Sequence, residues 1–202
     1  FPRFHAVMEE DSGQSVVSSL NDHILPLDPG LKQRLTEGID VLDLGCGRGR
    51  ALIALTEAFP SSHFLGYDLS EDAIACAQSY ADEKGNANLK FEVRNLSDFG
   101  ETATPDTYDL VTTFDAVHDQ AFPLSPLKGI ARTVRSDGVY FMVDIHGSSD
   151  VSKNTDHPLG TLLYTVSCLH CMTVSLAQGG EGLGATWGRE KAEELLAAAG
   201  FG

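Results

Sequence analysis

Apolar residues alternate between strand-like and helix-like segments from residue 39 to residue 145. Short apolar runs, typical of buried parallel strands, cover 39–44, 63–67, 89–94, 108–114 and 139–145. Amphipathic helical stretches lie between most of these strands. Ser70 is the predicted N-cap of one helix and Ser125 that of another. Asp137-Gly138 is the predicted turn into the fifth strand. The alternation predicts an α/β fold, a doubly wound and mostly parallel sheet with helices on both faces.

Two segments outside this alternation are less regular. Residues 1–38 have only partial helical spacing and predict an N-terminal helical segment or lid, ahead of one domain that spans residues 39–202. Residues 146–188 predict a helical insertion after the fifth strand and a glycine-rich loop, followed by a last helix near Arg189. The chain begins at Phe1 without an initiator methionine, so we expect a fragment of a longer chain.

Composition narrows the class of protein. The 202 residues are 42% hydrophobic, enough for one domain with a full core. A formal charge of −15 disfavours nucleic acid and anionic membranes as partners, and no run of eighteen apolar residues predicts a membrane span. The cysteines at 46, 76, 168 and 171 are too sparse for a disulfide scaffold, which predicts reduced thiols and a cytoplasmic location.

The first strand runs into a glycine-rich turn, Val41-Leu42-Asp43-Leu44-Gly45-Cys46-Gly47-Arg48-Gly49. A dinucleotide fingerprint has its third glycine one place later, where this chain has Arg50. Asp43 is a poor neighbour for a phosphate and a good one for an ammonium group. The turn therefore favours a ligand with a cationic end, although an ordinary strand-to-helix connection, with Asp43 bonded to a local amide, stays open.

Asp68 ends the second strand, 25 residues after Asp43. An acid at that place accepts hydrogen bonds from ribose hydroxyls in dinucleotide folds, and Asn95 and Leu96, after the third strand, can serve an adenine edge. A ligand with a cationic amino-acid end, a ribose and an adenine fits these residues better than a nicotinamide dinucleotide does. S-adenosylmethionine is such a ligand, and we predict it as the cofactor.

Three segments carry a family resemblance: the strand and turn above, then Gly66-Tyr67-Asp68-Leu69-Ser70, then Tyr108-Asp109-Leu110-Val111. Over residues 38–146 their order and spacing resemble the class I S-adenosylmethionine-dependent methyltransferases, which have a Rossmann-like fold. The segments Phe114-Asp115-Ala116-Val117-His118-Asp119-Gln120 and His157-Pro158-Leu159-Gly160 are similar to a bacterial-type group of small-molecule methyltransferases that often carry an N-terminal winged-helix domain.

The resemblance implies a cofactor site, and the sequence departs from the family pattern at two places. The implied cofactor residues are Asp43, Gly45, Cys46, Gly47, Asp68, Leu69, Asn95, Leu96 and Phe114. The family usually has an acid in place of Asn95, and its sheet usually ends in an antiparallel hairpin, which is missing where this sequence stops at Gly202.

His118 and Asp119 are the candidate catalytic residues, since an imidazole titrates near neutrality and follows the fourth strand here. A purely structural histidine is the alternative. The segment Cys168-Leu169-His170-Cys171 imitates half of a zinc site, but a second ligand pair at zinc-like spacing is missing, so the sequence predicts buried thiols and no metal.

These observations predict transfer of a methyl group from S-adenosylmethionine to an O or N atom of a small molecule. Two other classes stay open: a cofactor-binding sensor domain without catalysis, and a nicotinamide-dependent oxidoreductase. The expected partner is a small-molecule methyl acceptor, with no nucleic acid and no membrane. The oligomeric state is open, a homodimer included.

Overall fold

The computed structural model describes Val7, Glu10 and residues 13–202. Most of the N-terminal stretch 1–12, part of the predicted helical segment, lies outside the described residues. The chain divides into two compact units, each considered by itself. The first contains the chain through residue 95 with residues 107–114 and 135–141; the second contains residues 96–106, 115–134 and 142–202.

Five strands form one sheet in the order β3-β2-β1-β4-β5. They are β1 Asp40–Leu44, β2 His63–Asp68, β3 Leu89–Val93, β4 Tyr108–Phe114 and β5 Val134–Val143. The central strand β1 pairs in parallel with both β2 and β4, and β2 pairs in parallel with β3. The predicted α/β class with a parallel sheet is confirmed. Because β1 is covered on both faces, Val41, Leu42 and Leu44 are almost fully buried.

The helices of the first unit are α1 Leu31–Glu37, α2 Arg50–Ala58 and α3 Glu71–Lys84. They follow short helical turns at Gly13–Val17, Leu20–Ile24 and Leu25–Leu27. Helix α3 begins and ends as the sequence predicts: the Ser70 hydroxyl accepts a hydrogen bond from the Ala73 amide at 3.2 Å, and Gly85 ends the helix with φ +71°. Helices α2 and α3 pack against β2 and β3.

The second unit is mainly helical. It contains α4 Phe99–Thr102, α5 Leu124–Thr133, a 3-10 turn Val151–Asn154, α6 Gly160–Val166, a π-helical turn Ser167–Cys171, α7 Met172–Ala177 and α8 Arg189–Ala199. Helix α5 packs against α4 and α8, and a Cβ on Gly129 would come within 2.2 Å of the Phe99 ring. The helical insertion, the glycine-rich loop and the last helix lie where the sequence predicts them.

Two predicted boundaries are wrong. Helix α5 begins at Leu124 with Pro123 as N-cap, and the Ser125 hydroxyl instead accepts a hydrogen bond from the Gly100 amide at 3.2 Å. Asp137-Gly138 is not a turn but lies inside β5, which starts directly after α5. The early part of this strand is held by Arg135, which forms ion pairs with Asp109 and Asp40. Helix α4 was not predicted.

The helical stretch Gly160–Ala177 has a mean hydropathy of 1.3, and only 22% of it is buried. By length and composition it is the one helix in the described part of the chain that could cross a membrane. Its buried polar side chains favour a different interpretation. The Ser167 hydroxyl accepts from the Ala185 amide, and the Ser175 hydroxyl donates to the Gln120 carbonyl, which ties the helix to the loops of its own unit.

Candidate functional site

The glycine-rich turn leaves the carboxyl end of β1 and leads into α2. The amides of Gly45 and Cys46 both donate to the Tyr67 carbonyl oxygen, at 2.8 and 3.0 Å. The Gly49 amide donates to the Cys46 carbonyl, which closes the turn immediately before α2. Gly45, Gly47 and Gly49 all have positive φ, at +75°, +53° and +72°. The turn thus depends on glycine for its backbone conformation.

Gly47 and Gly49 have different surroundings. A Cβ on Gly49 would lie 2.3 Å from the Phe91 ring, so this glycine lets the start of α2 pack closely on β3. A Cβ on Gly47 would meet no atom within 4 Å in the described part of the chain. Gly47 therefore borders open space at the tip of the turn, where a ligand can approach the backbone.

Replacing Gly49 with alanine is expected to destabilise the protein by about 3 kcal/mol, since left-handed backbone strain adds to a clash with Phe91. Gly47→Ala is the matched control. It has the same backbone strain without the clash, so about 1 kcal/mol is expected. Urea unfolding of both variants measures the difference. Equal losses of stability in the two variants would contradict the distinction.

Asp68 lies at the carboxyl end of β2 and joins the turn to the start of α3. Its Oδ2 accepts a hydrogen bond from the Gly47 amide at 2.9 Å, and its Oδ1 accepts one from the Ser70 amide at 2.8 Å. The carboxylate is therefore fixed in orientation beside the tip of the glycine turn. Gly47 and Asp68, two of the predicted cofactor residues, are thus in direct contact although they lie 21 positions apart in the sequence.

Asp43 is buried in the sheet, with 2% of the residue exposed. It lies opposite Gly66 on β2 and Thr112 on β4, and its Oδ1 accepts a hydrogen bond from the Thr112 hydroxyl at 2.8 Å. Burial raises its pKa from 3.8 to about 7; the Thr112 hydrogen bond lowers the pKa, and the charge of Asp68 raises it further. A nearby cation would stabilise the ionised carboxylate.

The remaining predicted cofactor residues differ in exposure. Burial, with the charges of Asp43 and Asp68, raises the pKa of the Cys46 thiol well above 9.0, so the thiol is neutral. Leu69 is 50% exposed and Asn95 is exposed, whereas Phe114 is half-buried at the end of β4. Leu96 belongs to the second unit and is buried. Cofactor roles for these residues stay predictions.

The second unit holds a separate cluster around His118, which is 2% exposed. The His118 Nδ1 forms a 2.8 Å hydrogen bond with Asp144 Oδ1, and the same oxygen accepts from the Trp187 indole Nε1 at 3.1 Å and from the Ile145 amide at 2.8 Å. Asp144 thus fixes the imidazole, and the opposite nitrogen, Nε2, lies 3.3 Å from Asp119 Oδ1. His118 and Asp119, predicted as a pair, are adjacent in space.

Sequence reasoning missed Asp144 and Trp187. Asp144 had a usable signal, because it directly follows β5 at a carboxyl strand end. Trp187 had none, since its position depends on the glycine-rich loop. The Trp187 carbonyl accepts from the Ser149 hydroxyl at 2.6 Å, and a Cβ on the neighbouring Gly188 would lie 2.0 Å from the Ser149 nitrogen. The loop packs tightly enough here to require glycine.

Charge and strain are both concentrated near His118. Burial lowers the pKa of the imidazole, but hydrogen bonds to Asp144 and Cys171 and the charges of Asp144 and Asp119 outweigh it and raise the pKa well above 6.5. Asp115, three residues earlier, has a left-handed backbone with φ +50°, which is unfavourable for a residue with a Cβ. Such features are common at functional sites.

A parallel sheet with a glycine turn after its central strand and an acid after the next defines a Rossmann-like α/β fold. A family model described as "Methyltransferase domain" matches residues 35–200. Because these residues are most of the chain, the chain belongs to this methyltransferase domain family.

Individual curated relatives match a shorter part of the chain than the family model does. The chain is 30% identical over 109 residues to a ubiquinone biosynthesis O-methyltransferase from Aeromonas salmonicida, a match that covers 54% of this chain and 44% of that protein. The chain thus spans about half the length of the curated relatives it matches.

Two solved structures have a similar fold. The YcgJ protein of Bacillus subtilis is 21% identical with a TM-score of 0.62, over 84% of this chain and 66% of that one. A SAM-dependent methyltransferase from Aquifex aeolicus is 16% identical with a TM-score of 0.64, over 99% of this chain and 88% of that one.

Proposed function

We propose that this chain transfers a methyl group from S-adenosylmethionine to an O or N atom of a small molecule. The observation that carries the proposal is the contact between Asp68 and the Gly47 amide. It brings a carboxylate that can accept hydrogen bonds from ribose hydroxyls to the open tip of the glycine turn. Membership of the methyltransferase domain family supports it. The same contact alone would also suit a nicotinamide cofactor, which the glycine spacing disfavours.

In this proposal the first unit holds the cofactor. Asp68 accepts hydrogen bonds from the ribose hydroxyls, and Gly45, Cys46 and Gly47 allow the backbone to approach the ligand. Asp43 provides negative charge for the cationic amino-acid end, and Leu69, Asn95 and Phe114 contact the adenosyl group. Methyl transfer is an in-line displacement, so the protein contributes mainly by aligning the acceptor, the methyl carbon and the sulfur.

Binding of S-adenosylhomocysteine, the product without the methyl group, is expected to strengthen about tenfold from pH 6 to pH 8 and then level off. The reason is the Asp43 pKa of about 7: the carboxylate is mostly protonated at pH 6 and mostly ionised at pH 8, and only the ionised form attracts the ligand ammonium group. Isothermal titration calorimetry across this range measures the effect. Asp43→Asn should bind weakly with a flat profile, and an unchanged slope in that variant would exclude Asp43 as the cause.

The second unit is proposed to act on the acceptor. With its Nδ1 held by Asp144, His118 presents Nε2 as the nitrogen that takes the acceptor's proton, and Asp119 lies beside it. The raised pKa makes the neutral imidazole a stronger proton acceptor, and it also lowers the neutral fraction at pH 7. This role of His118 matters only for methyl acceptors whose reacting atom still carries its proton at neutral pH, such as phenols.

A small-molecule acceptor and a cytoplasmic location belong to the same proposal. The formal charge of −15 argues against nucleic acid as the methyl acceptor. The relative from Aeromonas salmonicida, named as an O-methyltransferase of ubiquinone biosynthesis, makes oxygen the first acceptor atom to test.

The test is formation of S-adenosylhomocysteine from S-adenosylmethionine in the presence of a panel of phenols, carboxylic acids and amines. Acceptor-dependent product formation is expected with at least one oxygen or nitrogen acceptor, and Asp68→Ala should abolish it. Product formation that does not depend on an acceptor, or that survives Asp68→Ala, would contradict the proposal.

A further inference from the structure

The cluster around His118 includes a thiol that proton transfer does not use. Cys171 is 4% exposed, and its Sγ lies with a nitrogen of His118 and a carboxylate oxygen of Asp119 in a group whose ligand atoms are all within 4.8 Å of one another. Within the described residues this is the only such group of three or more His, Cys, Asp or Glu side chains. The three residues come from two segments, the loop after β4 and the π-helical turn.

One contact in this cluster is not a hydrogen bond. Asp119 Oδ1 is buried 3.3 Å from His118 Nε2, yet it has no hydrogen-bond partner in the part of the chain that the structure describes. Nitrogen and oxygen ligands about 2.1 Å from a tetrahedral ion lie about 3.4 Å apart. The observed separation of 3.3 Å therefore suits two ligands of one cation.

We propose that His118, Asp119 and Cys171 form a binding site for a divalent transition-metal ion, for which Zn²⁺ is the best match. One imidazole, one thiolate and one carboxylate are the ligand types that Zn²⁺ accepts. Three protein ligands leave a fourth tetrahedral position open, and His170 Nε2 lies near the site, 3.9 Å from Asp119 Oδ2.

The surroundings of His118 match those of a metal ligand. A metal-binding histidine usually donates its other N–H to a carboxylate, which fixes the ring and strengthens the ligand. Asp144 makes that contact with Nδ1 at 2.8 Å and is itself held by the Trp187 indole. The sequence pattern lacked a second pair of ligands for the Cys168 to Cys171 segment. In the fold, His118 and Asp119 supply that second pair beside Cys171.

The proposal of a metal site is independent of the proposed methyl transfer. A bound ion uses the Nε2 lone pair that proton acceptance requires, so the two uses of His118 exclude each other at any instant. Metal binding is therefore measured directly, with the metal as the probe and S-adenosylhomocysteine binding as a separate readout on the same samples.

The test is calorimetric titration of the metal-stripped protein with Zn²⁺ and absorption spectroscopy with Co²⁺. One Zn²⁺ per chain and a thiolate-to-cobalt charge-transfer band are expected. Cys171→Ser should remove the band and weaken Zn²⁺ binding by more than about tenfold. Even the replacement of residues that only hydrogen-bond to a metal ligand weakens metal binding by about that factor. The matched control is Cys168→Ser, which should change neither. Cys168 lies one helical turn away and is exposed, so the prediction of buried thiols is wrong for this residue.

The absence of Zn²⁺ binding in the unsubstituted protein, or a Co²⁺ spectrum without the thiolate band, would overturn the proposal, and neither result depends on how a variant folds. Equal losses in Cys168→Ser and Cys171→Ser would also overturn it. Zn²⁺ binding without S-adenosylhomocysteine binding would leave the metal site in place and contradict the proposed function.

Discussion

Replacing Asp68 with asparagine is expected to weaken S-adenosylhomocysteine binding about 100-fold, or about 2.7 kcal/mol. The carboxylate accepts from the Gly47 and Ser70 amides, and in the proposed complex it also accepts from the ribose hydroxyls. An asparagine side chain loses the charge and turns one acceptor oxygen into a donor that faces another N–H group. Calorimetric titration of the variant measures the loss.

Asp72→Asn is the matched control for this prediction. Asp72 is an exposed acid in the first turn of α3, four residues from Asp68, so its replacement removes the same charge from the same region. Its effect on binding should stay below about twofold because exposed charges are screened. If Asp72→Asn weakened binding as strongly as Asp68→Asn, the effect would come from net charge and not from a ribose contact.

Replacing His118 with asparagine is expected to lower the rate of methyl transfer to a phenolic acceptor roughly 100-fold, the range typical of a lost acid–base group. Asparagine can keep a donor toward Asp144 in place of Nδ1, but it has no counterpart of the basic Nε2. S-adenosylhomocysteine binding should change little. Initial rates with saturating S-adenosylmethionine measure the effect.

His146→Ala is the control for the His118 variant, since His146 is exposed and lies two residues after Asp144. It should retain nearly full activity. Unchanged turnover in His118→Asn would remove the assignment of His118 as proton acceptor. A parallel loss of S-adenosylhomocysteine binding would instead show that the substitution acts through folding, so binding is measured on every preparation.

The sheet and the glycine turn could be predicted because their signals are local. Apolar runs bounded by glycine, proline and acids are enough to locate strands, and Ser70 and Gly85 mark the ends of α3 correctly. The start of β5 could not be predicted in this way. Asp137-Gly138 is a turn by residue preference alone, whereas ion pairs of Arg135 with Asp40 and Asp109, 95 and 26 residues away in the sequence, hold this segment as a strand.

The cluster around His118 shows the same limit. His118 and Asp119 were found because they follow an apolar strand, but Cys171 and Trp187 lie more than 50 residues later, in segments without regular periodicity. Only the folded insertion brings the Trp187 indole to Asp144 and the Cys171 thiol to His118. Residue type alone therefore identified two members of the proposed metal site, His118 and Asp119, as candidate catalytic residues and the third, Cys171, as a buried thiol.

The proposed function depends above all on binding of an adenosyl amino acid by the glycine turn and Asp68. Calorimetric titration of the purified chain at pH 8 with S-adenosylhomocysteine, and separately with NADH, tests it most directly. We expect saturable binding of S-adenosylhomocysteine with one site per chain, its loss in Asp68→Ala, and no binding of NADH. Binding of NADH without binding of S-adenosylhomocysteine would contradict it.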